Sequence, residues 1–230
     1  MARLMDLGIS SISETLTKMG DMAQKSLEVA LESYFKEIAS RKNVFELSEK
    51  LKSFENQIGD IAVELVAQYQ PVATDLRFIR ASMEIAYLFW RCGRYSYDIA
   101  DTVEEFGPPP NCDKTTVREI SSLVLRIFKL SLGSLHFRDE TKVIELYEMD
   151  STVDTLYRKY LREVIENNSS NSNNNNYNNK MNDINSWNSQ SKCVICNTLV
   201  LRFLERISDH ACYLGDCIFY LVLGASSPRK

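Results

Sequence analysis

Apolar residues recur every three or four positions along most of the chain, which is the spacing of one buried face on an α-helix. The pattern covers residues 9–38, 45–69, 73–106, 117–137, 143–165 and 194–223. It is interrupted at Pro71 and again at Gly107, which three prolines follow, because a proline ring cannot continue a helix. The sequence therefore predicts an all-α fold of six helices.

The second half of the chain resembles the first. At a constant offset of 115 residues, Arg91 corresponds to Arg206 and Asp101 corresponds to Asp216. Three helices precede the proline run and three follow it. Together these features favour the duplication of a three-helix unit, so we expect two tandem, pseudo-symmetric three-helix bundles.

The proline run divides the chain into two domains. We predict the first bundle over residues 1–107, a linker over 108–112 and the second bundle over 113–230. Between the fifth and sixth helices, 12 of the 22 residues from 167 to 188 are asparagine, a composition that favours loops and leaves little to bury. We expect a mobile surface loop over 167–191.

Composition limits the class of protein. With 27 basic and 31 acidic side chains the net charge is -4, which argues against a dedicated nucleic-acid binder. No uninterrupted apolar run approaches the roughly 18 residues that span a bilayer, and the first residues lack the apolar centre of a signal peptide. We therefore expect a cytoplasmic protein that reaches a membrane only through its partners.

The cysteines are too few for a disulfide-stabilised small fold. All six are expected to stay reduced in an ordinary cytosol, although a hyperthermophilic host would weaken this expectation. Cys193 and Cys196 have the spacing of half a zinc or redox motif, but a second such pair is missing from the sequence. We interpret them as packing residues.

Two pairs of carboxylates stand at helical spacing in the second half. They are Asp150 with Asp154 and Glu205 with Asp209, and Asp216 continues the second stripe. Residues four apart share one helix face, so each pair can present two oxygen ligands to one cation. The alternative is a solvated acidic face of the kind that many helices carry.

Three stretches of the sequence resemble signature segments of the PhoU family of phosphate-uptake regulators. They are Gln70–Arg77 (QPVATDLR), Asp150–Arg158 (DSTVDTLYR) and Leu204–Ala211 (LERISDHA). The resemblance extends over the chain outside the asparagine-rich stretch and implies two similar three-helix bundles. It also implies a non-enzymatic regulator that restrains phosphate uptake and phosphate signalling by docking on the ATPase subunit of a phosphate transporter or on a phosphate-sensing protein. We also expect a homodimer.

The resemblance further implies a metal site, because members of the family bind iron or zinc clusters through acidic residues at this spacing. Carried over by position, the second-half ligands are Asp150, Asp154, Glu205 and Asp209, and Asp216 stands where the family often has a further acid. We therefore expect a transition metal ion or cluster, with iron or zinc as the favoured metals. One neighbour of the cluster departs from the family pattern, since Tyr213 stands where members of the family commonly have an asparagine.

The first half lacks these acids. Trp90 and Arg94 stand at the positions of the helix-six acids, and Ser48 and Lys52 stand approximately at those of the helix-five acids. Cations repel a metal ion and indole has no suitable lone pair, so we predict a metal site in the second half only. Trp90 and Arg94 could instead form a partner-binding patch, because Trp and Arg are frequent binding anchors.

Three alternatives stay open. A shifted register that uses Glu46, Glu49 or Glu55 could restore a first-half site. The molecule could be a helical-bundle enzyme with a di-metal carboxylate centre, although no Glu stands three residues before His136 or His210, as that class requires. It could also be a metal-free helical scaffold whose acids are solvated.

Overall fold

The computed structural model describes residues 2–172, 180–225 and 227 of the chain. Within these residues it contains six α-helices: α1 (Ala2–Lys36), α2 (Arg41–Tyr69), α3 (Ala73–Glu105), α4 (Thr115–Phe137), α5 (Val143–Ser172) and α6 (Lys180–Leu223). A short 3-10 turn, Glu140–Lys142, precedes α5, and no strand occurs in the described part of the chain. The predicted all-α class with six helices is confirmed.

The helices form two bundles that share one core. α1, α2 and α3 pack against one another, and α4, α5 and α6 do the same. Between the bundles, α3 lies along α6 and α1 contacts α4. The core continues across this boundary, since the rings of Phe89 in α3 and Phe128 in α4 are buried and meet at a steep angle with 6.3 Å between their centroids. The prediction of two tandem three-helix bundles is therefore confirmed.

The internal repeat has a spatial counterpart between α3 and α6. Tyr95 and His210 correspond at the offset of 115 residues, and their rings contact each other with 5.3 Å between centroids. Equivalent residues of two units lie opposite each other close to a twofold axis that relates the units. A pseudo-twofold axis therefore passes between α3 and α6 close to these two side chains.

The link between the bundles is longer than predicted. α3 ends at Glu105 and α4 begins at Thr115, so the connection covers residues 106–114 rather than 108–112. Gly107 follows α3 with a φ of 53°, a left-handed conformation that glycine adopts without steric cost and that commonly ends helices. Gly107 and the three prolines after it lie inside this connection.

The asparagine-rich stretch also differs from its prediction. α5 continues to Ser172 and α6 begins at Lys180, so much of the predicted loop over 167–191 is helical. Residues 173–179 lie outside the described part of the chain. Once a helix exists, each added residue gains a backbone hydrogen bond, which allows both helices to extend into a composition that favours loops.

The linker is covalently joined to the second bundle. Cys112 and Cys193 of α6 form a disulfide, with 5.3 Å between their Cα atoms. The expectation that all six cysteines stay reduced is therefore wrong, because these two residues lie 81 positions apart and meet only in the folded chain. The other four cysteines are free and buried: Cys92, Cys196, Cys212 and Cys217.

Among the described helices, α4 alone is long and apolar enough to cross a membrane by length and composition. Its apolar stripe faces the shared core instead, where Ile120, Val124, Ile127 and Phe128 are buried. This is the usual position of the most apolar helix in a bundle, since its side chains gain most from removal from water.

Candidate functional site

The acidic pairs of α5 and α6 face each other in the second bundle. Asp150 of α5 is buried, and its Oδ1 accepts a hydrogen bond of 2.7 Å from Oγ of Ser208 on α6. One turn further along α5, Asp154 lies near enough to Glu205 of α6 to influence its ionisation. The structure therefore brings both predicted pairs to one face of the bundle.

The pKa of Glu205 reflects the crowding of carboxylates on this face. Burial raises this pKa, and the neighbouring charges of Asp209 and Asp154 raise it further, against the opposing effect of Arg202 and Arg206. Like charges close together disfavour ionisation, whereas a bound cation favours it. Added positive charge would therefore stabilise the ionised carboxylates of this face.

Part of that positive charge comes from arginines of the same helices. Each of the three partly exposed carboxylates is paired: Asp154 with Arg158 at 3.0 Å, Glu205 with Arg202 at 3.0 Å and Asp209 with Arg206 at 3.6 Å. Within the described ranges, no group of three or more His, Cys, Asp or Glu side chains is close enough to hold a metal ion as arranged. A metal ion would therefore have to compete with guanidinium groups for these oxygens.

Asp216 lies apart from these four acids. It accepts hydrogen bonds from the Tyr147 hydroxyl of α5 and from the Ser227 hydroxyl, the latter at 2.6 Å. The structure thus places Asp216 in a polar cluster that joins α5, α6 and the carboxy-terminal segment. Its role as a metal ligand stays a prediction.

His210 turns from the acidic face toward α3. Its Nδ1 lies 2.9 Å from the carbonyl oxygen of Arg206 and its ring packs against Tyr95. Burial lowers the pKa of His210 to about 4, and the charges of Arg91 and Arg206 act in the same direction. The imidazole is therefore neutral near pH 7, with Nδ1–H donating to the carbonyl.

The corresponding face of the first bundle holds cations over aromatic rings. Nζ of Lys52 in α2 lies 4.2 Å from the centroid of the Trp90 ring in α3. The guanidinium carbon of Arg94 lies 4.7 Å from the centroid of the Tyr97 ring, and Arg94 also pairs with Asp98 at 3.3 Å. The cations of this face are already stabilised by the electrons of the rings beneath them, and Glu55 and Asp98 balance their charge.

The geometry agrees with the predicted equivalence of the two faces. A Cβ atom added to Gly93 would lie 3.8 Å from Cα of the buried Ser48, so these two residues face each other as Asp150 and Ser208 do. Likewise, Lys52 contacts Trp90 at the positions where the second bundle has Asp154 opposite Glu205. The two halves therefore share a similar backbone arrangement and differ in the side chains that it carries at equivalent positions.

The structure adds contacting residues to the predicted site. The arginine partners stand three or four residues from their acids, so their spacing is visible in the sequence. The bond from Ser208 to Asp150 has no such signal, because 58 residues separate the two. It depends on how α5 and α6 pack together.

Comparison with known proteins bears on both bundles. The model of the PhoU domain matches residues 16–103 and again residues 117–218, and each match falls within one bundle. The phosphate-specific transport system accessory protein PhoU homologue of Clostridium acetobutylicum is 24% identical over 227 residues, which cover 96% of this chain and 95% of that protein. The homologue of Pseudomonas aeruginosa is 24% identical over 221 residues, which cover 94% and 84%.

Solved structures show the same fold. The crystal structure of PhoU from Pseudomonas aeruginosa matches with a TM-score of 0.80 and 24% identity, covering 96% of this chain and 99% of that one. The phosphate transport system regulatory protein PhoU from Streptococcus pneumoniae matches with a TM-score of 0.80 and 17% identity, covering 98% and 100%. The two domain matches and the shared fold agree with the resemblance in the sequence, and this chain belongs to the PhoU family.

Proposed function

We propose that this protein is a cytoplasmic, non-enzymatic regulator that restrains phosphate uptake and phosphate signalling by docking on a phosphate transporter ATPase or a phosphate-sensing protein. The observation that carries the proposal is the match of a PhoU domain to each bundle. Relatives over nearly the whole chain are named as accessory proteins of the phosphate-specific transport system, so the PhoU relatives indicate an accessory or regulatory protein of phosphate transport.

Docking is best supported on the aromatic and cationic face of the first bundle. This first-half patch consists of six side chains of α2 and α3: Phe45, Lys52, Tyr87, Trp90, Arg94 and Tyr97. Phe45 and Tyr87 leave 42% and 45% of their surface exposed, and Trp and Arg are the residue types that most often anchor interfaces. The patch therefore offers anchors that are already ordered by contacts with one another.

Binding of the purified ATPase subunit tests the patch. In a calorimetric titration, the double variant with Trp90→Ala and Arg94→Ala should lose at least about tenfold in affinity, since an interface anchor is worth about 2 kcal/mol. Arg126→Ala is a matched control, because Arg126 is an exposed arginine of α4 far from the patch in sequence. Equal affinities for the double variant and this control would refute docking at the patch.

We also propose that Asp150, Asp154, Glu205 and Asp209 hold a transition metal ion, iron or zinc, in the second half only. Support comes from the position of these carboxylates on one face of the bundle and from the raised pKa of Glu205. A bound cation would supply positive charge that offsets their mutual repulsion. Because arginines compete for three of the four carboxylates, we expect weaker binding than at a comparable site without them.

Metal analysis of purified protein tests this site. The double variant Asp154→Ala with Asp209→Ala should lose bound iron or zinc, whereas Arg94→Ala should retain it. Removal of a competitor by Arg202→Gln should raise the affinity a few-fold. Absence of metal from the unmodified protein, together with an unchanged melting temperature in added iron, zinc or manganese, would refute the site.

Homodimerisation is part of the same proposal and is tested separately. Light scattering of the purified protein should give twice the mass of one chain, which is 26.4 kDa. A mass of one chain over a wide concentration range would refute it. This outcome would leave the metal site and the docking patch unaffected.

A further inference from the structure

The Cys112–Cys193 disulfide lies where the linker meets helices of both bundles. One turn beyond Cys193, the side chain of Asn197 connects two other segments: Nδ2 donates to the Asp113 carbonyl at 2.8 Å, and Oδ1 accepts from the Tyr34 hydroxyl of α1 at 2.6 Å. The covalent bond and the bond to Asp113 therefore hold the linker against the same turns of α6, and the bond from Tyr34 holds α1 there.

Lys114 extends this junction into the first bundle. Its Nζ lies 3.2 Å from a carboxylate oxygen of Glu37 and 3.3 Å from the carbonyl oxygen of Tyr34, at the end of α1. The ammonium group also lies 5.4 Å from the centroid of the Tyr34 ring. The linker thus has non-covalent attachments to both bundles in addition to its single covalent one.

The disulfide borders an open cavity of about 750 Å³. Both cysteines line it, together with Tyr160 and Glu163 of α5 and with Asn197. The four free cysteines are at most 5% exposed, whereas both members of the disulfide are partly exposed. Small thiol reagents can therefore reach this sulfur pair while the other sulfurs stay shielded.

We propose that Cys112–Cys193 is a reversible redox site whose oxidised form fastens the linker to α6. A small dithiol supplies the reducing electrons. Its first thiolate attacks one sulfur of the protein disulfide and breaks the S–S bond, and its second thiol then closes the reductant into a cyclic disulfide. Two electrons and two protons pass to the protein, so that Cys112 and Cys193 become thiols.

In the reduced protein the linker depends on its polar contacts alone. The bonds from Asn197 and Lys114 remain, so the bundles stay folded, but the chain around Cys112 can leave α6 more often. Local opening of a segment becomes more frequent when fewer contacts hold it closed. This redox control goes beyond the proposed role in phosphate regulation and does not depend on it.

Thiol labelling of the native full-length protein, read by mass spectrometry, tests the site. After oxidised glutathione we expect no labelled cysteine, and after dithiothreitol we expect two, at Cys112 and Cys193. Returning the protein to oxidised glutathione should restore the unlabelled state. Cys193→Ser should label once, at Cys112, without reductant, and Cys92→Ser should behave like the unmodified protein because Cys92 is buried.

Limited proteolysis tests the consequence for the linker. Trypsin should cleave after Lys114 at least about tenfold faster in dithiothreitol than in oxidised glutathione, and the Cys193→Ser variant should be cleaved at the fast rate in both. Equal rates in the two conditions would overturn the fastening role. Two labelled cysteines in oxidised glutathione, or labelling in dithiothreitol only after unfolding, would overturn the reversible site.

Discussion

The two bundles carry opposite chemistry at equivalent places. In the second bundle Asp154 and Glu205 are like charges on facing helices, and arginines offset only part of their repulsion. In the first bundle Lys52 and Trp90 attract each other directly. The same backbone arrangement therefore carries an acidic face in the second bundle, which an added cation would stabilise, and a face in the first bundle whose cations are already stabilised. A duplicated scaffold can in this way carry different surface chemistry on its two halves.

The buried contacts below these faces differ in the same manner. In the second bundle Asp150 and Ser208 are joined by a hydrogen bond. In the first, Ser48 faces Gly93 and Leu51 packs where a side chain at Gly93 would stand. A polar contact thus fastens one pair of helices, and close apolar approach fastens the other.

The largest effect is expected from removing the polar contact. Ser208→Ala should lower the free energy of unfolding by about 2.5 kcal/mol, because a buried hydrogen bond to a carboxylate is among the stronger ones. Urea denaturation measures the change. A loss of less than about 0.5 kcal/mol would show that this bond does not fasten α5 to α6.

The equivalent change in the first bundle should cost less. An added Cβ at Gly93 would lie 2.3 Å from Cδ1 of Leu51, so Gly93→Ala forces Leu51 to move. The gain in helix propensity, about 1 kcal/mol, offsets part of the strain and leaves a net loss of about 1 kcal/mol. A larger loss of stability for Gly93→Ala than for Ser208→Ala would show that the close apolar contact stabilises its helix pair more than the polar contact does.

The effect of pH at the pseudo-twofold axis, where His210 corresponds to Tyr95, is expected to lie between these two. The pKa of His210 is about 4 in the folded protein against 6.5 as its ordinary value. As pH falls from 6.5 toward 4 the unfolded chain binds a proton that the folded chain does not, so stability decreases by about 2 kcal/mol for this partly buried group.

The variant His210→Tyr isolates this contribution by making the two halves alike. Unfolding in urea, measured in a chelating buffer so that no metal is bound, should show a smaller loss of stability between pH 7 and pH 4 than in the unmodified protein. The charges of Arg91 and Arg206 are part of this contribution, because both help to lower the pKa of His210. Parallel pH profiles would contradict the lowered pKa.

The cation over the Trp90 ring is expected to have a modest effect. Lys52→Ala removes this contact and the ion pair of Lys52 with Glu55, and should cost about 1 kcal/mol in thermal or urea unfolding. Lys50→Ala serves as control, because Lys50 is an exposed lysine of the same helix. Equal effects of the two changes would indicate that the contacts of Lys52 with Trp90 and Glu55 do not stabilise the first bundle.

The smallest effect on stability is expected at the acidic face itself. Arg158→Ala removes an exposed ion pair with Asp154 and should change the free energy of unfolding by about 0.3 kcal/mol. The same change should strengthen metal binding, because it removes a competing cation. Weaker metal binding in this variant would show that Arg158 supports the site rather than competing for it.

Much of this arrangement can be predicted from the sequence. The apolar spacing predicts the six helices, and Pro71 and Gly107 mark two of the breaks between them. The four facing acids are visible as two pairs at helical spacing. Their arginine partners stand three or four residues away on the same helices, so these pairs are visible in the sequence as well.

The sequence by itself determined the helix positions and which residues share a helix face, since these depend on neighbours within a few turns. It also determined the duplication, which is visible as a repeat at a constant offset of 115 residues. The tertiary structure alone decided that Cys112 bonds to Cys193, that Ser208 reaches Asp150 and that Tyr95 meets His210. Each of these contacts joins residues far apart in the chain. Their formation depends on the rotation and the axial position at which two helices pack, which no periodicity within a single helix specifies.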